Sequence, residues 1–159
     1  MKNGRMFQGF HPIHCSTVAA CEDMFNGDPA SDVISLAKYG KVIFFIVLNA
    51  GATGTATITV ESCDDVTPST STAVAFKYWV CTTPDVWGDM QSATSSGFAT
   101  TAGATAMYAI EIDATELSST DSFVRMQCTE VVDSPVDGNF MAIAGNPRYA
   151  QEVKPTAIA

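Results

Sequence analysis

Positive charge is scarce in this sequence. Eight Lys and Arg stand against seventeen Asp and Glu, for a formal net charge of −9. Between Val42 and Pro147 the only cations are Lys77 and Arg125, while Lys2, Arg5, Lys38, Lys41, Arg148 and Lys154 lie toward the ends. Phosphate backbones are held by clustered Lys and Arg, so the composition argues against a nucleic-acid partner. Histidine is nearly absent, with only His11 and His14. A Ser or Cys nucleophile commonly draws on a His base. Such a site would have to be built at the N-terminal end, and the reading is that the chain is not an enzyme. Long apolar runs are missing too. Val42–Leu48 falls far short of the ~20 residues that a bilayer-spanning helix needs, so no membrane partner is expected. There is no heptad pattern and no internal repeat. Gly51-Ala52-Thr53-Gly54 leads into a strand pattern rather than a helix, which excludes a phosphate-cradling loop. The start MKNGRMFQGFHPIHC carries no continuous apolar core behind its positive charges, so folding in a cytoplasm is expected. The five cysteines, odd in number and irregularly spaced, then read as free thiols, several of them buried.

What the sequence does have is strand grammar. Lys41–Cys63 holds an apolar run, a Gly/Thr turn and a segment in which Ala56, Ile58 and Val60 alternate with Thr57, Thr59 and Glu61. The run Val42–Leu48 is almost wholly apolar and reads as a central strand covered on both faces. Further strands are expected over Asp32–Leu36, Ala73–Thr82, Met107–Asp113, Phe123–Val131 and Asn139–Ala144. In these, Val74, Phe76, Tyr78 and Val80 point inward against Lys77 and Trp79. Tyr108, Ile110 and Ile112 oppose Glu111, and Val124, Met126 and Cys128 oppose Arg125 and Gln127. Asp113–Leu117 reads as one helical turn. Thr67–Thr72 and Ser92–Thr105 are rich in Ser, Thr, Ala and Gly and read as surface loops. The sum is an all-β fold, one β-sandwich or jelly-roll-like domain over 32–146. It is flanked by an irregular N-terminal arm (1–31), with a short helix expected over Ser16–Phe25, and by an extended C-terminal tail (147–159).

Candidate chemistry is thin. His11, His14, Cys15 and Cys21 are zinc-ligand types, but their spacing fits no standard finger, and no metal is assigned. A Cys63–Cys81 disulfide is disfavoured because the two would not sit opposite each other, Cys63 pairing nearer Val74. Asp64-Asp65 and the Asp133/Asp137 pair read as turn solvation rather than as glycosidase carboxylates or a calcium loop. Trp79 and Trp87 are candidates for stacking a sugar ring or for packing at an interface.

Three strings stand out: Asp32-Val-Ile-Ser-Leu-Ala-Lys-Tyr-Gly-Lys41, Gly51-Ala-Thr-Gly-Thr-Ala-Thr-Ile-Thr-Val-Glu61, and Tyr108-Ala-Ile-Glu-Ile-Asp113 followed by Glu116-Leu117. With the closing Pro147-Arg148-Tyr149, they resemble small virion structural proteins of tailed bacteriophages over about residues 32–154. The resemblance implies a capsid decoration, or cement, protein on the outer capsid surface of the virion. Its partner would be the major capsid protein lattice, its assembly a homo-oligomer with a trimer favoured, and its place of synthesis the bacterial host cytoplasm. In that setting the arm and the tail are the expected contact elements, with Phe7, Phe10, Pro12 and Tyr149 as anchors. Removing 1–31 is then expected to leave a folded domain that no longer binds capsids. The alternative readings are a carbohydrate- or host-binding module on the virion surface and a tail or neck component.

Overall fold

The computed structural model describes residues 10–17, 22–49, 53–82, 86–103, 107–148 and 157–158. Its strands are β1 (His11–Ile13), β2 (Ile34–Ser35), β3 (Tyr39–Leu48), β4 (Thr55–Cys63), β5 (Ser71–Val74), β6 (Phe76–Cys81), β7 (Gln91–Ala93), β8 (Phe98–Ala99), β9 (Met107–Asp113), β10 (Phe123–Val132) and β11 (Gly138–Pro147). They form two antiparallel sheets. One has six strands in the order β1-β11-β3-β9-β6-β7, and the other has β2-β10-β4-β5 with β8 also on β4. The fold is an all-β sandwich.

Period-2 alternation sets the core, because successive side chains leave a strand on opposite faces. Val42, Phe44, Ile46 and Leu48 of β3, with Ile110 and Ile112 of β9, face Ile58 and Val60 of β4 and Val124, Met126 and Cys128 of β10. Ten of these eleven have no solvent exposure, and Leu48 has 3%. Asp113 begins a 3-10 turn over Ala114–Glu116, accepting a hydrogen bond from the Thr115 amide, while Glu116 accepts one from the Asp113 amide. That reciprocal pair satisfies two backbone donors at the turn's start.

Three features differ from the sequence reading. Ala73–Thr82 is not one strand: β5 belongs to the five-stranded sheet and β6 to the six-stranded sheet, with the change at Ala75. A strand that switches sheets by a bend is a regular way to make a sandwich corner. The expected loop 92–105 contains β7 and β8. The segment 1–31, read as an arm, is built into the domain over its described residues. β1 pairs with β11, and Cys15, Met24 and Phe25 are at most 1% exposed. Met24 donates its amide to the Val136 carbonyl, Ser31 to that of Met126, and Cys128 to that of Pro29. Residues 16–17 and 22–28 are extended, bent or turned, with no helix; the rest of the expected helix, 18–21, lies outside the described residues. Within the tail, Ser35 donates its amide to the Ala157 carbonyl, and Ile158 bridges Ile34 at the β2 edge.

Two glycines are required by close approach. At Gly138 a Cβ would meet both the Met24 Sδ and the Val47 carbonyl at 2.5 Å. Gly97 has φ +76°, and a Cβ there would collide with the Ile58 backbone. Each lets a neighbouring segment press onto the sandwich.

Candidate functional site

Among the described residues, the candidates for catalysis and metal binding do not converge. Ile13 and Cys15 are buried and the intervening His14 is exposed, so His14 and Cys15 leave the chain in opposite directions. The Nδ1 of His11 lies 3.1 Å from the Tyr39 hydroxyl. Cys21 lies outside the described residues. Among those described, no three His, Cys, Asp or Glu are placed to hold a metal ion. Burial pushes the thiols of Cys15 and Cys128 up to about 12 and that of Cys63 to about 11, which removes the thiolate a nucleophile needs. Cys63 and Cys81 form no disulfide with each other and sit in different sheets. Cys63 lies opposite Ser71, and Val74 opposite Val60. Asp64 anchors a turn: its carboxylate accepts the amides and hydroxyls of Ser69 and Thr70 and is held down at about 2 by them.

The two outer faces of the sandwich differ sharply. On the five-stranded sheet, register sets Thr57 beside Thr129, Thr59 beside Gln127, and Glu61 beside Arg125, whose Nε donates to the Glu61 Oε2 at 2.7 Å. This is an ordinary wetted face. On the six-stranded sheet, one row reads Pro12, Ile143, Ile43, Glu111, Lys77. The next reads Met141, Phe45, Ala109, Trp79, and a third brings Val47 beside Met107. Met141 is 40% exposed and Val47 43%. Phe10, at 47%, lies where a Cβ on Gly145 would touch its ring. Charge enters at one border, where Lys41 meets Glu111 at 2.6 Å and Asp113 at 3.8 Å. The Met141–Trp79 row crosses three strand spacings of about 4.8 Å, so the apolar field is roughly 14 Å across from β11 to β6, with Pro12 extending it onto β1.

Of the expected anchors, Phe10 and Pro12 lie at the β1 margin of this field; Phe7 and Tyr149 lie outside the described residues. Sequence reasoning missed Phe45, Val47, Met107 and Met141. Their signal was the even apolarity of Val42–Leu48, which was read as cover on both faces. The described residues cover only one: β3 alternates buried and part-exposed along its length. Trp79 stands in the outer field, whereas Trp87 stands at a separate cleft, so the two tryptophans do not form one surface.

No family model matches this chain, and neither a curated protein nor a solved structure does so.

Proposed function

We propose that this is a virion structural protein, a capsid decoration protein that seats on the major capsid protein lattice through the outer face of its six-stranded sheet. The observation that carries the reading is β3. Its sequence is that of a strand buried on both sides, yet among the described residues its outer side, Ile43, Phe45 and Val47, stays part-exposed. Apolar surface of this extent on one face, opposite a wetted one, marks a protein interface. The missing cover is a neighbouring molecule. The tailed-phage resemblance supplies the setting and makes that neighbour the capsid. The opposite face, lined by Thr57, Thr59, Thr129, Gln127 and the Glu61–Arg125 pair, suits the solvent side of a particle. Many modest contacts, repeated over an icosahedral shell, then add up by avidity to a clamp against internal pressure. The resemblance further implies a trimer.

The test is co-sedimentation of purified protein with expanded capsids that lack it. Wild type is expected to pellet with the capsids. Val47→Lys combined with Met141→Glu, both at exposed positions, is expected to stay in the supernatant while keeping the wild-type β spectrum. Thr59→Lys, on the opposite face, is expected to pellet normally. Binding by the first variant, or loss of binding only by the second, contradicts the assignment. Discrete oligomers formed by wild type and abolished by the first variant, without capsid binding, would give the face to a second copy instead.

A further inference from the structure

The sandwich is open at one edge, and the opening has chemistry that the docking face does not use. Between the inner side of β6 and the short strand β8 lies a cleft of about 480 Å³, within the range of small-molecule sites. Tyr78 and Phe98 form part of its lining, stacked on each other with ring centroids 4.1 Å apart and planes 4° from parallel. Tyr108 tilts against Phe98 at 5.3 Å. At the rim stands the Trp87 indole, 40% exposed. Tyr78 donates its hydroxyl to the Gln91 Oε1 at 2.7 Å, and the Thr101 amide donates to the Tyr108 hydroxyl at 2.9 Å. Among the described lining residues none is charged, on a chain of net charge −9.

We propose that this cleft binds a neutral saccharide, with Trp87 as the stacking platform and Gln91 as the hydrogen-bonding group that fixes the ring. The lining has two requirements. Trp87, Phe98 and Val80 offer apolar surface to be covered. The Gln91 amide N–H groups and the Trp87 indole N–H have no protein partner among the described residues. A purely apolar occupant would cover the first and strand the second, at the cost of desolvated donors. A charged occupant would find no counter-ion among the described lining residues. A pyranose has an apolar C–H face and a rim of hydroxyls that accept as well as donate, and so meets both requirements. The cleft and the docking face lie on opposite sides of β6, where Tyr78 and Val80 line one and Lys77 and Trp79 the other. The protein can therefore hold a glycan while seated.

The experiment is saturation-transfer NMR on the full chain with glucose, galactose, mannose, N-acetylglucosamine, cellobiose and chitobiose, with tryptophan emission followed in parallel. At least one of these is expected to receive saturation and to change the emission with a millimolar midpoint. Trp87→Ala and Gln91→Ala are each expected to weaken it by about tenfold, the size expected when a stacking face or a hydrogen-bonding amide is removed. Trp79→Phe should leave binding unchanged. Refusal of all six sugars, affinity indifferent to Trp87→Ala, or binding of phenol and indole while the sugars are refused would each overturn the proposal. Because Trp87 and Gln91 lie off the docking face, capsid co-sedimentation of these variants stays at the wild-type level whichever way the sugar test falls.

Discussion

Cys15, Cys63 and Cys128 show how far one residue's chemistry can be read before a fold is known. Cys63 and Cys128 each sit in an alternating segment, and Cys128 follows Val124 and Met126 on one face, so its burial was legible. Full burial of Cys15 was not, because it depends on an edge strand and on a segment that carries no period. The thiols are held protonated by desolvation. Iodoacetamide at pH 8 is therefore expected to leave Cys15, Cys63 and Cys128 unmodified in native protein and to alkylate all three in urea. Native labelling at the rate of a free thiol would contradict the burial. The linkage has a definite sign. Folded thiols that ionise at about 11 to 12 against an ordinary 9.0 stabilise the fold fully below pH 9, and that contribution is lost as pH rises through the folded values. Asp64 runs the other way. Its folded value of about 2 lies below the ordinary 3.8, so its contribution is present above about pH 4 and lost as pH falls toward 2. The Ser69 and Thr70 amide resonances are expected to titrate with Asp64 near pH 2. A midpoint near 4 would mean that the four hydrogen bonds are not formed in solution.

Among the elements, the long alternating strands and the short β2 were legible, and β7 and β8 were not. β4, β9 and β10 carry their inward residues where the period places them. β7 and β8 are three and two residues long, in a stretch of Ser, Thr, Ala and Gly with almost no hydropathy contrast. Nothing local distinguishes them from loop. The break at Ala75 was hidden for another reason: Val74 and Phe76 both face the core, so the alternation runs unbroken through a change of sheet. Only pairing with distant strands reveals which sheet each half joins. Gly97 tests this part of the fold. Its positive φ and its contact with the Ile58 backbone let β8 lie on β4 and carry Phe98 into the aromatic cluster. Gly97→Ala is expected to destabilise the protein by about 2 kcal/mol or more, seen as a lower urea midpoint with faster amide exchange at Phe98 and Ala99. An unchanged midpoint would show that β8 is not held this way.

For the whole molecule, the sandwich and its core were open to reading because burial and alternation are local in sequence. The docking face was not, because a strand apolar on both sides looks the same whether its second cover is part of the chain or a different molecule. Phe45 and Val47 were in plain view as strand residues, yet their partial exposure follows only once β3 is seen to have no layer above it among the described residues. The arm reading failed to foresee the described part of residues 1–31 for the converse reason. Cys15, Met24 and Phe25 are aperiodic, but they fill the sandwich. Deleting 1–31 is accordingly expected to unfold the domain rather than to release it from a partner, with loss of the β signal in circular dichroism. A folded truncated domain would show that these core contacts are dispensable.

The central claim is that this chain coats a shell through its six-stranded face. It is tested most directly by quantitative mass spectrometry of purified particles, counting copies of this chain against the major capsid protein. The account predicts hundreds of copies in a simple ratio to the capsid protein, falling to background when Val47→Lys and Met141→Glu are combined. A handful of copies, absence from particles, or undiminished incorporation of that variant would contradict it.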